Sequence, residues 1–246
     1  MIYVGCCGFS ESQAKYFKDY KTIEIQQTFY KLIKENLAKK WREKAPKDFV
    51  FNLKVFQAIT HPTRSPTWKR SGFSKTELDK LKDKVGYLRP TKENFKFWME
   101  FLKIAEILEA RVLVIQLPAS FRDEEENWKD AEKFFETIER KDFILGVELR
   151  GWEEKSIRKF CRKFEVVDIC DLMIRNPTYL SKKKIGYFRL HGSYEGKRIN
   201  YKYKYSDKDL KSLKGKVRKI KAKECFVMFN NVYMRDDSKR FIRLLK

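Results

Sequence analysis

The clearest pattern in this chain is the alternation of apolar and polar residues in several short runs rich in β-branched side chains. Runs such as Thr-Ile-Glu-Ile-Gln and Gly-Val-Glu-Leu-Arg show it. Because successive side chains of a strand point to opposite faces, Glu24 and Gln26 share one face. Glu148 and Arg150 share a face for the same reason. A buried charge needs a partner, so polar side chains gathered near the ends of several strands predict a ligand site built from those strands.

Strand-like runs alternate with longer amphipathic segments, which is typical of βα units and a parallel sheet. Strands are predicted over residues 2–7, 22–26, 49–55, 111–116, 143–150, 165–169, 185–191 and 224–230. Helices are predicted over residues 35–45, 91–108, 124–139, 153–164, 207–221 and 236–245. Thr91 and Ser206 stand at N-cap positions, and Pro46 follows a helix end.

Eight such units in 246 residues predict the α/β class, as one TIM-like (β/α)8 barrel domain over residues 1–246. An open doubly wound sheet is the alternative, although no GxGxxG motif follows the first strand. Residues 56–90 form a long loop insertion after strand 3, with a short helix predicted over residues 75–84. Long loops in compact domains are usually functional, so we expect a binding loop or lid here.

The charge balance favours an anionic partner. The chain carries 56 Lys and Arg against 34 Asp and Glu, a formal net charge of +22. Such a surplus attracts polyanions, DNA or RNA first among them. A Lys-rich composition of the thermophile type is the alternative, but it would explain many charges of both signs rather than this imbalance.

Other features of the composition concern the cell compartment. The five cysteines are scattered without a CxxC motif, so neither a disulfide framework nor a zinc ribbon is indicated. No apolar run has membrane-spanning length, and residues 1–4 enter the first predicted strand directly, without a signal peptide. We therefore expect a cytoplasmic protein with no membrane partner, while the oligomeric state is not indicated.

Several motifs, in this order, carry a resemblance to a known family. They are VGCCGF at 4–9, EIQQTFY at 24–30, ITH at 59–61 after Lys54, QLPASF at 116–121, GVELR at 146–150, RLHG at 189–192 and FNN at 229–231. With them the sequence resembles the DUF72 (YecE-like) family over nearly its whole length. The resemblance implies one TIM-like barrel and little about activity, because the biochemistry of that family is largely undefined. The family usually has Asn where Gln26 stands and His where Gly151 stands, which weakens any mechanism that uses that His as a base.

Strand parity points nine polar side chains inward at the carboxyl ends of the strands. They are Glu24, Gln26, Lys54, Gln116, Glu148, Arg150, Arg189, His191 and Asn230. Three cations against two acids suit an anionic ligand, and Arg150 and Arg189 offer planar forks to phosphate. Backbone N–H groups at 192–193 could add donors. The alternative is an interior of internal salt bridges, Glu148–Arg150 and Glu24–Lys54, but a packed barrel core is normally apolar.

Individual roles follow from side-chain chemistry. His191 is the better general acid or base of the two histidines, and His61 is assigned to ligand binding. Glu148 and Glu24 are predicted to orient His191 or to hold a metal. Lys54 would form a Schiff base only if its pKa were depressed. The expected neighbour Glu24 would keep it charged, which favours phosphate binding.

No metal site is predicted from spacing, and no cofactor is indicated. A histidine-rich zinc cluster like that of endonuclease IV barrels needs more than the two histidines present. A Mg²⁺ or Mn²⁺ site on Glu24 and Glu148 is an alternative, but it would compete with three nearby cations.

A second candidate surface lies after strand seven, where aromatic residues alternate with cations. Its members are Lys197, Arg198, Tyr201, Lys202, Tyr203 and Lys204. Aromatic faces between cations are suited to stacking bases while holding phosphates. The segment is therefore predicted to be a nucleic-acid surface beside the pocket.

These features give three hypotheses for function. The first is a barrel that binds a phosphorylated ligand, most plausibly nucleic acid, at its carboxyl face and acts on a phosphodiester or nucleotide. The second is a small-molecule enzyme with general acid–base chemistry on a sugar-like or carboxylated metabolite, in a closed pocket capped by residues 56–90. The third is a non-catalytic binding module. The fold does not choose among them, because this barrel hosts many chemistries.

Overall fold

A parallel barrel organises the molecule. The computed structural model describes residues 1–196 and 198–246. Its strands are β1 (Ile2–Cys6), β2 (Thr22–Ile25), β3 (Val50–Lys54), β4 (Val112–Leu117), β5 (Ile144–Leu149), β6 (Val167–Cys170), β7 (Ile185–Leu190), β8 (Ser193–Glu195), β9 (Arg198–Asn200) and β10 (Glu224–Phe229). All but β8 and β9 form one eight-stranded sheet in the order β1-β10-β7-β6-β5-β4-β3-β2. A single parallel bridge between Cys7 and Glu24 joins its two ends. The predicted TIM-like barrel is confirmed, with β8 and β9 as an added antiparallel hairpin.

Helices surround the sheet. They are α1 (Gln13–Asp19), α2 (Gln27–Tyr30), α3 (Glu35–Lys44), α4 (Gln57–Thr60), α5 (Lys75–Leu81), α6 (Lys92–Ile107), α7 (Glu125–Thr137), α8 (Glu154–Phe164), α9 (Asp207–Lys219) and α10 (Met234–Leu245). The predicted caps are confirmed: the Thr91 hydroxyl accepts from the Asn94 N–H, and Ser206 forms a capping box with Asp209. No helix in residues 1–196 and 198–246 is both long enough and apolar enough to cross a membrane.

Sequence periodicity missed some short elements and shifted one boundary. Helices α1 and α2 and the β8–β9 hairpin were not predicted, because each is too short for a clear period. The sixth strand was predicted from residue 165, but Glu165 ends α8 in the left-handed conformation, with φ of 51°. Left-handed helix ends usually carry Gly or Asn, so a glutamate gave no signal there.

The barrel interior is layered. Towards the amino ends of the strands it is aromatic and aliphatic, with Phe226 stacked between Tyr3 and Tyr187 at centroid distances of 5.0 and 5.6 Å. Thr22 and Asn52 are also buried there and hydrogen-bond to each other at 2.9 Å. In the described residues the charged side chains of the interior, Glu24 and Arg189 among them, lie towards the carboxyl ends. Any site inside this barrel must therefore open at the carboxyl face.

The insertion at 56–90 is folded against the barrel. It contains α4, a 3-10 helix (Pro66–Arg70) and α5, which ends three residues before the predicted boundary at 84. Residues 86–88 have positive φ values, and their N–H groups donate to the carbonyls of Ala58, Thr60 and Ile59 in turn. Trp68 and Leu88 are buried. The segment is thus anchored at both ends, and it holds His61 beside the barrel mouth.

Strands β1 and β2 approach each other closely at Gly5, where the barrel closes. A Cβ added at Gly5 would lie 2.4 Å from the backbone oxygen of Thr22. Gly5→Ala must push the two strands apart, so we expect a loss of about 2 kcal/mol of unfolding free energy, measured by urea denaturation.

Gly215→Ala is the matched control. Gly215 lies in α9 with no atom within 4 Å of an added Cβ, so Ala should stabilise the helix by about 0.5–1 kcal/mol. Equal stability of Gly5→Ala and the wild type would contradict this close approach of β1 and β2.

Candidate functional site

A cleft of about 1040 Å³ opens at the carboxyl face of the barrel. Its polar lining comes from the ends of five strands and from the adjoining loops. From the barrel it includes Lys54, Gln116, Glu148, Arg150, Asp171 and His191. The long insertion contributes His61, Ser65 and Thr67, and the hairpin contributes Tyr194 and Ile199. The cleft therefore gathers residues that are far apart in sequence.

A buried ion network forms the floor. Arg189 is 1% exposed, with Nε 3.1 Å from Oε2 of Glu24 and Nη2 3.0 Å from Oε1. Its Nη1 donates to Glu148. Glu24 also accepts from the Tyr187 hydroxyl at 2.9 Å and from the Gln26 amide. Arg189 and Glu24 thus lie below the cleft, and the guanidinium expected to hold phosphate is occupied by two carboxylates.

Glu148 joins this floor to the cleft. One of its oxygens accepts from Arg189, and the other accepts from Nε of Arg150 at 2.7 Å. Burial works against ionisation of Glu148, but Arg150 and Arg189 hold its pKa well below the usual range. Glu148 is therefore an anion whose two oxygens are both hydrogen-bonded, and the expected Glu148–Arg150 pair is present.

The other expected pair, Glu24–Lys54, is not formed. The carboxylate of Glu24 is taken up by Arg189, Tyr187 and Gln26. Lys54 instead places Nζ 3.7 Å from the centroid of the Phe29 ring, and no ion pair to Lys54 is found in residues 1–196 and 198–246. Arg189 of β7 binds the Glu24 carboxylate in place of Lys54 of β3. Strand parity alone could not predict which of the two would do so.

Burial, followed by the positive charge of Arg189, lowers the pKa of Lys54 to about 7. The carboxylates of Glu148 and Glu24 oppose this shift without cancelling it. The expectation that Glu24 would keep Lys54 fully charged is therefore wrong. Near neutral pH the amine is divided between its charged and neutral forms.

His191 lies where the network meets the cleft. Its Nε2 is 3.4 Å from Nη2 of Arg150 and 3.9 Å from Oε1 of Glu148. Its backbone N–H donates to Asp171 Oδ2 at 3.0 Å. Its Nδ1 is buried 3.7 Å from the same oxygen and has no hydrogen-bond partner in the described part of the chain. Asp171 thus fixes the position of His191.

Asp171 is the functional candidate that sequence reasoning missed. It is 7% exposed and lines the cleft just after β6. Strand parity contained the signal, because the interior residues Val167 and Ile169 precede Asp171 at steps of two. The predicted strand ended at residue 169, so its next inward position was left out.

His61 also lines the cleft, but its environment differs from that of His191. Its Nδ1 shares a 2.7 Å hydrogen bond with the Thr60 hydroxyl, and its ring packs edge-on against Phe29. Burial and the nearby Lys54 lower the pKa of His61 to about 3. His61 is therefore neutral near pH 7, where it offers hydrogen bonding rather than charge.

The other predicted ligand residues differ in position. Gln116 lines the cleft and donates to the carbonyl of Leu117 at 2.8 Å. Gln26 is half-buried against Glu24, outside the cleft lining. Asn230 is half-buried and also lies outside the lining. Its neighbour Asn231 is buried and donates to Tyr203 and Asp237, which ties down the loop after β10.

The predicted nucleic-acid surface lies on the hairpin and the turn that follows it. Tyr201 is 40% exposed, and its ring centroid is 6.0 Å from that of His191. Arg198, Lys202 and Lys204 are exposed. Tyr203 is half-buried and donates to Asp209. Lys197 lies outside the described residues. Exposed cations and one exposed aromatic ring therefore adjoin the cleft.

Gly192 explains how the hairpin folds back over the barrel. Its φ is +106°, and an added Cβ would lie 2.3 Å from the Asn200 oxygen. Its N–H donates to the Tyr205 hydroxyl at 2.8 Å, and Tyr205 is buried. The backbone donor expected at residue 192 is therefore used internally and is not available to a ligand.

The carboxylates do not suit a divalent cation as they stand. Both Glu24 and Glu148 are bound to Arg189, whose positive charge lies between them. In the described residues no three His, Cys, Asp or Glu side chains are grouped to hold a metal ion. The alternative of a Mg²⁺ or Mn²⁺ site on this pair does not fit the donor set, because a cation would have to displace the arginine.

Comparison with known proteins identifies relatives of the whole chain. A family model described as "Protein of unknown function DUF72" matches residues 3–246. No curated protein matches the sequence. A DUF72 family protein from Enterococcus faecalis V583 has a similar structure, with a TM-score of 0.69 and 20% identity, covering 100% of this chain and 97% of that chain.

Two further structures extend the comparison. A DUF72 family protein from Thermotoga maritima MSB8 is 24% identical, with a TM-score of 0.68, over 100% of this chain and 99% of that chain. Endonuclease IV from Thermus thermophilus is 8% identical, with a TM-score of 0.55, over 98% of this chain and 97% of that chain. At these identities the likeness shows a shared fold.

The position of Lys54 predicts a distinct pH dependence of stability. Its pKa falls from 10.5 to about 7 on folding. Between these values the unfolded chain binds more protons at this site than the folded chain, so the stability that depends on Lys54 rises with pH. Lys54→Met should therefore be more stable than the wild type at pH 7. Its advantage should shrink by about 1 kcal/mol for each pH unit up to pH 9.

Urea denaturation of Lys54→Met and of the wild type at pH 7, 8 and 9 measures the difference in their unfolding free energies. The contributions of titrating groups that the two proteins share cancel in this difference. Lys202→Met is the control, because Lys202 is exposed and its replacement should give a difference independent of pH. If the difference in unfolding free energy between Lys54→Met and the wild type stayed constant from pH 7 to pH 9, the amine of Lys54 would stay charged in the folded protein.

Proposed function

Because the chain belongs to the DUF72 family, whose function is unknown, we propose a function from its cleft alone. The cleft binds a phosphorylated ligand, nucleic acid in particular, and His191 transfers protons during the cleavage of a phosphodiester held there. One observation carries the proposal: the cations of the cleft retain unused donors, while the carboxylates of Glu148 in the cleft and of Glu24 below it already accept hydrogen bonds.

The donors available to a ligand are those of Lys54 and Arg150. Arg150 uses Nε on Glu148 and Nη2 towards His191, and its side chain is 32% exposed. Lys54 places Nζ over the Phe29 ring, and in the described residues it forms no ion pair within 4 Å. A phosphate bound between these groups would receive charge-assisted hydrogen bonds without first breaking an internal ion pair.

The hairpin extends this site towards the surface. Residues 198–204 contain three cations and no acidic residue. In the middle of this stretch the ring of Tyr201 lies beside that of His191, and at its end Nζ of Lys204 lies 5.6 Å from the ring centroid of Tyr233. Both tyrosines are about 40% exposed. Exposed rings between cations suit a single strand whose bases stack as its phosphates follow the basic side chains.

The cleft is about as large as the largest pockets typical of drug-sized ligands. Pockets for drug-sized molecules are typically about 300–1000 Å³, and this cleft is about 1040 Å³. The net charge of +22 would further attract a polyanion from solution. The endonuclease IV likeness adds nothing to this argument, because at 8% identity it concerns the fold alone.

His191 is the residue suited to proton transfer. It lines the cleft beside Arg150, and Asp171 holds its backbone. A phosphate on Arg150 would therefore lie next to an imidazole that can take a proton from water or give one to a leaving oxygen. Glu148, 3.9 Å from Nε2, would stabilise the imidazolium.

Binding is tested with fluorescent single- and double-stranded oligonucleotides across a salt series. We expect affinity to fall steeply with salt, because phosphate contacts release counterions. In a plot of the logarithm of the association constant against the logarithm of the salt concentration, the slope is negative. The double variant Lys202→Ala/Lys204→Ala should make this slope less negative by about 2. Arg150→Gln should weaken binding roughly tenfold, the loss of about one charge-assisted hydrogen bond.

The matched control is Lys182→Ala/Lys183→Ala, which removes the same charge from exposed positions before β7, at the amino end of the barrel. Arg189 is left intact, because its removal would leave two carboxylates buried without a partner. Absence of binding at low salt would reject the proposed surface. Lys182→Ala/Lys183→Ala would also reject it by changing the salt dependence of binding as much as Lys202→Ala/Lys204→Ala does.

Catalysis is tested by cleavage of the bound oligonucleotide. His191→Gln should lower the rate at least ~100-fold, the usual contribution of a general acid or base, while the Kd changes little. Tight binding of nucleic acid by a wild type that cleaves nothing would assign the protein to non-catalytic binding. Loss of affinity equal to the loss of rate would give His191 a binding role only.

A further inference from the structure

Lys54 has a combination of properties that phosphate binding does not require. Its side chain is 7% exposed yet reaches the cleft, and Nζ lies over the Phe29 ring at 3.7 Å. In the described residues it has no carboxylate partner within 4 Å. Burial of an ammonium ion without a counter-ion is unfavourable, so a lysine kept only for packing would be better replaced by methionine.

We propose that Lys54 is a nucleophilic amine that forms an imine with the carbonyl carbon of a phosphorylated aldehyde or ketone bound in the cleft. The inference rests on the proposed function only for the phosphate-holding part of the site. The amine provides the covalent chemistry, and Arg150, which lines the same cleft, provides a donor for the phosphate.

The reaction needs no oxidant, reductant or metal. The lone pair of neutral Nζ attacks the carbonyl carbon, and a C–N bond forms while the C=O π pair moves to the oxygen. That oxygen takes a proton from water and the nitrogen loses one, which gives a carbinolamine. The hydroxyl takes a proton from the solvent and leaves as water while the nitrogen lone pair forms the C=N bond, and the resulting iminium nitrogen gives its remaining proton back to the solvent. The products are the imine and one water molecule.

The charged groups that face Lys54 explain why this amine is available. Arg189 and Arg150 disfavour its protonated form, and Glu148 and Glu24 favour it. Both acids are already paired with arginine, which weakens their effect on Lys54. Neighbouring His61 is neutral near pH 7, since burial and Lys54 lower its pKa to about 3.

Burial and Arg189 bring the pKa of Lys54 to about 7, so about half of the amine is neutral at that pH. An exposed lysine with a pKa near 10.4 is neutral in less than ~0.1% of molecules at pH 7. This difference exceeds the reactivity that a weaker base loses, and desolvated lysines are used as Schiff-base nucleophiles for this reason.

The experiment uses the full chain with glyceraldehyde 3-phosphate, followed by sodium cyanoborohydride, which reduces an imine to a stable secondary amine. Peptide mass spectrometry then locates the modified lysines. We expect Lys54 to be modified at least ~10-fold faster than exposed Lys202 or Lys182 at pH 7. The rate for Lys54 should level off above pH ~8, because its amine is then mostly neutral, while the rate for the exposed lysines should keep rising about tenfold per pH unit towards their pKa near 10.4. Equal modification of Lys54 and the exposed lysines would overturn the proposal.

A second aldehyde separates this inference from phosphate binding. Unphosphorylated glyceraldehyde should modify Lys54 more slowly than its phosphate, and Arg150→Gln should remove that advantage. Equal rates for both aldehydes, with Lys54 still preferred, would keep the imine and reject the phosphate site. Binding of inorganic phosphate in the cleft, with no modification of Lys54 by either aldehyde, would keep the phosphate site and reject the imine. The modified lysines are located in the wild-type protein, so the result does not depend on the folding of a Lys54 variant.

Discussion

The guanidinium of Arg189, buried between Glu24 and Glu148, is the interaction on which the rest of this structure depends. It joins β7 to β2 and β5 across the interior of the barrel, and it contacts both carboxylates. Removing one partner from a buried ion network typically costs about 3–5 kcal/mol, because the remaining charge is uncompensated. Without the arginine, both carboxylates would lose a buried cationic partner.

The same arginine determines the chemistry above it. By holding Glu24, it leaves Lys54 without a carboxylate, and its own positive charge helps to lower the pKa of that lysine. By holding one oxygen of Glu148, it leaves the other for Arg150, whose guanidinium then reaches His191. The polar groups of the cleft are thus arranged indirectly, through a residue that lies outside its lining.

Much of this arrangement could be predicted from the sequence, because strand period and strand direction are local properties. Parity indicated that Lys54, Glu148 and His191 face one interior, and the structure brings them to one cleft. The partner of Glu24 could not be predicted in this way, since Arg189 is 165 residues away and competes with Lys54 by geometry alone. Asp171 was missed because the sixth strand was predicted over residues 165–169, whereas β6 begins at Val167, ends at Cys170 and is followed directly by Asp171.

The two interpretations of the polar interior, internal salt bridges or ligand site, apply to different layers of the same barrel. Arg189 is satisfied by Glu24 and Glu148 in the floor, so that network needs no ligand to be stable. Lys54 and His191 lie at its upper edge, one without a carboxylate and the other with a buried, unbonded Nδ1. Unsatisfied polar groups persist in a fold chiefly where they have a function. The floor is therefore the support, and the groups that it leaves without partners are those that a ligand would meet.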